Sequence, residues 1–142
     1  TFGHGFTYTG HPLSAAIGLK TLEIYERDNI VAHVRSVTPT FQSRLEALSS
    51  HPLVGEARGV GLIGAVELVA DKATRKSFDP KQGATAHAAR MCEEEGLITR
   101  AIFGDALALC PPLIITQDQI NEMFDLLERA LDRTRDHLKA AA

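Results

Sequence analysis

Apolar residues fall at helical spacing in four stretches of the chain, with strand-like runs between them. After His11-Pro12, the run PLSAAIGLKTLEIYERD places Leu13, Ala16, Ile17, Leu19 and Ile24 near helical spacing, with Lys20, Glu23 and Arg27 polar. Pro12 suits a first helical turn, where its missing N–H costs nothing. Asp28-Asn29 closes this helix and can cap the next. A second stripe of Ile30, Val34, Val37, Phe41, Leu45 and Leu48 steps by three and four and predicts a helix over about 30–48. Pro39 lies inside it and predicts a kink or a short break.

The pattern changes after His51-Pro52. LVGEARGVGLIGAVELVAD predicts a strand hairpin in which Val60, Leu62, Ala65, Val66 and Leu68 suit one buried face. Gly59, Gly61 and Gly64 predict a bulge or a close backbone approach. DKATRKSFDPKQG reads as a charged loop with a turn at Asp79-Pro80. A third helix is predicted over about 81–95, packing Ala84, Ala88, Met91 and Cys92 inward, with Gly96 as its capping glycine. GLITRAIF reads as a strand, Gly104-Asp105 as a turn, and ALALC as a strand stopped by Pro111-Pro112. Thr116 and Gln119 form a capping box for the last helix, whose stripe is Ile120, Met123, Phe124, Leu127, Leu131 and Leu138. The order predicts an α+β fold, a small and mainly antiparallel sheet with helices packed on one face.

Composition narrows the partners. The 142 residues suffice for one domain with a real core, and 44% hydrophobic content is that of a folded globule. With 15 basic and 18 acidic residues, net charge −3, the chain offers no electrostatic footprint for nucleic acid or an anionic membrane. Cys92 and Cys110 lie far apart, without CxxC spacing, and read as reduced, passive thiols of a cytoplasmic protein. No apolar run approaches the roughly 20 residues that span a bilayer. The chain starts without an initiator methionine, as though inside a longer protein, and is expected to be a fragment.

The candidate chemistry is sparse. Lys20, Lys72, Lys76, Lys81 and Lys139 all fall on polar faces, in a charged loop or at the tail, without the desolvation that activates an amine. The histidines show no paired metal spacing. Two features remain. In GHGFTYTG (residues 3–10), Gly5 permits close approach, successive N–H groups can form an anion-binding concavity and Thr7 adds a hydroxyl; an ordinary loop accounts for it as well. Arg100 ends an apolar stretch, and its planar fork needs a carboxylate, a phosphate or water; a substrate or an internal salt bridge would each serve.

Together, HGFTYTGHP at 4–12, HPLVGEARGVGLIGAVELVADK at 51–72 and GLITRAIFGDALALCPPLIIT at 96–116 resemble the C-terminal third of the class III aminotransferases, pyridoxal-phosphate enzymes of fold type I. The ω-amino acid and amine:pyruvate transaminases are the nearest likeness. The resemblance implies that Phe6 and Thr7 bind the phosphate of pyridoxal 5′-phosphate across the interface of a homodimer. It implies that Arg100 is the mobile group that binds a substrate carboxylate and swings aside for an amine's apolar substituent. It also implies that residues 1–12 are an active-site and interface loop, and that 13–142 form the small C-terminal domain. Arg58 lies in a block of the same resemblance and is expected to be structural. The family's Schiff-base lysine, its aspartate for the pyridine nitrogen and its ring-stacking aromatic are expected upstream of residue 1, so no catalytic residue is expected here and the chain alone should be inactive. The expected substrates are a small amine or ω-amino acid and a keto acid such as pyruvate. A stand-alone, non-catalytic binding module, and a decarboxylase or aminomutase of the same fold type, are the rival expectations.

Overall fold

A computed structural model describes residues 3–102 and 105–140. Its helices are α1 (Pro12–Arg27), α2 (Ile30–Ala47), α3 (Ala84–Glu94) and α4 (Gln117–Ala140), and its strands are β1 (Val54–Val60), β2 (Ile63–Leu68), β3 (Arg100–Ile102) and β4 (Ala106–Leu109). The strands form one antiparallel sheet in the order β1-β2-β4-β3. This is the α+β arrangement expected from the sequence.

Two glycines decide how closely helix and sheet approach. Gly59 and Gly64 face each other across the β1–β2 hairpin. A Cβ on Gly64 would stand 3.0 Å from Leu45 Cδ2 and 3.3 Å from the Phe41 ring. On Gly59 it would stand 2.7 Å from Leu45 Cδ2 and 2.4 Å from the Ile63 carbonyl oxygen. Their bare backbones let Phe41 and Leu45 of α2 lie flat on the sheet. The hairpin turns at Gly61-Leu62, where φ of +58° at Gly61 supplies the positive dihedral that a tight turn wants first. The Gln42 side chain clamps this turn, donating to the Gly61 carbonyl at 2.8 Å. The register shift falls between Val54 and Glu56, at Gly55.

Phe41 and Phe124 meet edge to face at 5.3 Å, joining α2 to α4 over the buried Val66, Leu68 and Leu107 of the sheet. Arg44 covers this contact, lying 5.7 Å from the Phe124 ring centre while its Nη2 donates to Asp125 at 2.6 Å. The predicted stripe of α4 is buried from Ile120 to Leu131, and Leu138 is half-buried against the core. Its capping box is present: the Gln119 amide donates to Thr116 Oγ1 at 3.2 Å, and the Thr116 amide donates to Gln119 Oε1 at 3.0 Å.

Three local expectations are refined. Of the kink or short break expected at Pro39, the break does not occur: α2 runs through it as one helix. Pro39 and Arg35 are both exposed, so water can serve the Arg35 carbonyl that loses its intrahelical donor. The third helix starts later than predicted. Asp79 and Gln82 cap a single 3₁₀ turn over Pro80–Gln82, Gly83 then takes φ of +57°, and α3 begins at Ala84. Helix α1 forms as predicted, yet none of its residues is buried, and Leu13, Ile17, Leu19 and Leu22 face outward.

Where α3 meets α4, the rings of His87 and His137 stack at 4.0 Å and nearly parallel. His87 is buried and its Nδ1 has no partner. Burial, then the positive neighbours His137, Arg90 and Arg133, push its pKa below the ordinary 6.5 against the weaker pull of Glu94.

Two predictions follow from this packing. Gly59→Ala is expected to destabilise the protein by about 1–3 kcal/mol, read as a lower urea midpoint at unchanged slope, because the new methyl must displace a backbone carbonyl. Folded His87 binds its proton less readily than the unfolded ring, so its contribution is intact above pH 6.5 and is lost as the pH falls below that value. The urea midpoint should drop on moving from pH 7.5 to about 5.5. His87→Phe, which keeps a stacking ring, should shrink that drop. His51, lowered by burial against the pull of Asp132 at 3.4 Å, retains the remainder.

Candidate functional site

The loop of residues 3–11 is closed by its own backbone. The Phe6 amide donates to Thr9 Oγ1 and the Thr9 amide to the Phe6 carbonyl, both at 3.0 Å, and the His11 amide donates to the Tyr8 carbonyl at 3.2 Å. His11 then caps α1 through Nδ1, which accepts from the Ser14 amide at 3.4 Å. This exchange occupies the Phe6 N–H. The Thr7 hydroxyl and the Thr7 and Tyr8 amides donate to no described residue. Three donors in one exposed turn, beside a glycine at position 5 with open space around it, suit the oxygens of a phosphate. The Phe6 ring is 74% exposed and meets His4 edge to face at 5.1 Å.

The second group stands on the sheet. Residues opposite one another in an antiparallel pair share a face. The register therefore aligns Arg58, Ala65, Ala108 and Arg100 in one row across β1, β2, β4 and β3, on the face away from α2. At about 4.8 Å per strand, the two arginines at the ends of this row lie about 14 Å apart at Cα. Between them the alanines leave a shallow depression, which Val60, Ile63, Ile102 and Cys110 help to line.

The two arginines differ in electrostatics. Arg58 Nη1 donates to Glu67 Oε2 at 2.9 Å and lies 3.6 Å from Glu56, both on the same face. Its charge is spent within the sheet, the structural role expected of it. Arg100 is exposed and makes no ion pair with a described residue. The internal salt bridge left open by the sequence thus does not form among the described residues. No hydrogen bond, ionic contact or ring contact joins Phe6 or Thr7 to Arg100.

The rest of the chemistry is quiet. Every lysine is exposed, and Lys20 pairs with Glu23 at 2.7 Å. Cys92 is fully buried and its thiol is pushed up to about 11 by burial, which keeps it unreactive; Cys110 is exposed, and both thiols are free. No described helix is long and apolar enough to cross a membrane.

Sequence reasoning missed two contacts that hold β3. The Thr99 hydroxyl donates to the Ala108 carbonyl at 2.8 Å, and the buried Thr85 hydroxyl donates to Asp105 Oδ1 at 3.1 Å. A threonine beside Arg100 was visible in the sequence, but its acceptor is set by strand register, which no local pattern reports.

Known proteins are similar to this chain in sequence and fold. The putrescine–pyruvate aminotransferase of Pseudomonas aeruginosa is 45% identical over 94% of this chain and 29% of its own length. A transaminase solved with L-ala is 46% identical, with a TM-score of 0.87 over 97% of this chain and 32% of that one. The PMP-bound form of an aminotransferase from Vibrio fluvialis is 40% identical, with a TM-score of 0.86 over 96% of this chain and 30% of that one. The chain thus spans about 30% of the length of these relatives. The family model for aminotransferase class-III matches residues 1–131, and with it the chain belongs to the class III aminotransferases.

Proposed function

We propose that these residues are the small C-terminal domain and one interface loop of a cytoplasmic, homodimeric transaminase that uses pyridoxal 5′-phosphate. It moves an amino group from an amine or ω-amino acid to a keto acid such as pyruvate. The single observation that carries this reading is the unneutralised Arg100 at one end of the sheet face whose other end holds the neutralised Arg58. A face with one spare guanidinium at its edge, above small side chains, selects a carboxylate on a small molecule.

Residues 1–12 form the interface loop in this reading, and 13–142 the small domain. Within 13–142 the first buried residue is Ile30, so α1 belongs to the domain by sequence while its apolar face is turned away from the core. That exposed stripe disfavours a stand-alone module, which gains nothing from uncovered leucines.

The cofactor, when bound, supplies the electron sink for carbanion chemistry. Thr7 would hold its phosphate through the hydroxyl and adjacent amides, fixing orientation, while Phe6 sets the turn. Arg100 binds the carboxylate of the amino or keto acid through two parallel N–H donors and leaves a monoamine unrecognised, which makes it a specificity group. Residues that move the substrate proton would be supplied by the remainder of the protein.

The test is the full reading frame expressed with the cofactor and assayed for amine-dependent conversion of pyruvate to alanine. No alanine from a folded, cofactor-loaded protein would refute the transaminase reading. In the active enzyme, Arg100→Ala should raise the keto acid KM about 10- to 150-fold, the worth of a charge-assisted hydrogen bond, and the monoamine KM far less. Equal effects on both would remove Arg100 from carboxylate binding. Thr7→Ala should weaken retention of pyridoxal 5′-phosphate by a similar factor, measured by equilibrium dialysis, and unchanged retention would take Thr7 out of the phosphate site.

A further inference from the structure

An edge strand of three residues, all exposed and paired on one side, holds little order of its own. Yet β3 carries the guanidinium on which carboxylate recognition rests. Following the chain into β3 shows what fixes it.

Helix α3 ends in a Schellman arrangement. Gly96, at φ of +92°, donates to the Glu93 carbonyl at 3.0 Å, and Leu97 donates to the Cys92 carbonyl at 2.8 Å. The backbone is therefore pinned at Leu97. Ile98 is next, 92% exposed. Thr99 follows, half-buried, and its hydroxyl donates at 2.8 Å to the carbonyl of Ala108, the residue that faces Arg100 across the ladder. Arg100 comes immediately after.

The far end of the hairpin is held by the same kind of contact. Asp105, at φ of +59°, accepts at Oδ1 from Thr85 in the first turn of α3, and its carbonyl accepts the Leu68 amide of β2 at 2.8 Å. Two hydroxyls, one at each end, thus tie the approach to β3 onto β4 and the approach to β4 onto α3.

We propose that Thr99 is a positioning residue for Arg100. Its hydroxyl fixes the Arg100 backbone against β4, so that reach toward and away from a carboxylate is delivered by the arginine side chain alone, with Thr85–Asp105 as the second anchor. Without the Thr99 bond, the unpinned stretch extends from Ile98 into the strand, and the guanidinium is presented from a moving base. This rests on the transaminase reading above for its effect on substrates, while the holding of β3 stands independently of it.

The experiment is Thr99→Val, which keeps the branched shape and deletes the donor, beside Thr99→Ser, which keeps the donor, and Thr85→Val at the other anchor. Each is made in the full-length, cofactor-loaded protein. Amide hydrogen exchange over residues 100–102 should be faster in T99V and near wild type in T99S. The keto acid KM should rise about 2- to 12-fold in T99V, the worth of one neutral hydrogen bond, and more than the monoamine KM, with T99S restoring the ratio. T85V should shift the same ratio in the same direction, and it decides the matter should T99V fail to fold. Unchanged exchange in T99V, or keto acid and monoamine KM values that move together, overturns the proposal. A wild-type protein that makes no alanine refutes the transaminase reading instead, and the exchange result still decides whether Thr99 holds β3.

Discussion

The close seat of α2 on the β1–β2 hairpin is the constraint on which the remaining structure depends. It exists because positions 59 and 64 present no Cβ where Leu45 and Phe41 must lie. Phe41 can then reach across to Phe124, and that ring contact fixes α4 over the same sheet face. The helices cover one face of the sheet, whose inward residues Val54, Val66 and Leu68 are buried, and the other face is left without a layer. The bare face is thus a direct consequence of how well the covered face is packed.

That asymmetry creates the site. A side chain pointing away from the helices meets no core; the charged residues there are Glu56, Arg58, Glu67 and Arg100, with Ala65 and Ala108 between the arginines and the exposed Val60, Ile63 and Ile102 toward one edge. Charge on an exposed face is ordinary. What distinguishes this one is the accounting of signs. Both acidic groups sit beside Arg58 on the β1–β2 side, and the β3 side holds a guanidinium with no counter-ion among the described residues. Glu94 and Glu95, the acids that end α3, are already engaged by Arg129 and Arg133, which hold Glu95 well below the ordinary carboxylate range. These two acids are thus committed to α4 and form no ion pair with Arg100.

Much of this was legible in the residues because it is local. The Thr116–Gln119 box, the Gly96 terminus, the hairpin glycines and the period of α4 each state their structure within a few positions. The break that Pro39 allowed does not occur, because a proline on the solvent side of a long helix leaves an orphan carbonyl that water can satisfy. Gly83 misled, since helical composition on both sides hid a residue with positive φ. The candidate site residues were proposed through resemblance, and spacing alone left Arg100 open between a salt bridge and a substrate. Thr99 and Thr85 were illegible, because their acceptors lie across the sheet and are defined only once register is fixed.

The two halves of the candidate site differ in what holds them. Arg100 is anchored to the packed core through β4 and α3, whereas the loop bearing Thr7 reaches that core only through α1. Helix α1 buries no residue; Ile24, near its C-terminal end, is half-covered, while Leu13, Ile17 and Leu22 point outward. A helix so attached sets its own direction weakly, so nothing within these residues determines the distance from Thr7 to Arg100. On the reading proposed here, the apolar stripe of α1 is what settles it. Packing against the rest of the protein would bury those leucines and, in the same step, carry the phosphate-binding turn into place. The hydrophobic face of α1 is then the physical link between cofactor anchoring and carboxylate recognition, two tasks that this stretch of chain encodes but does not bring together.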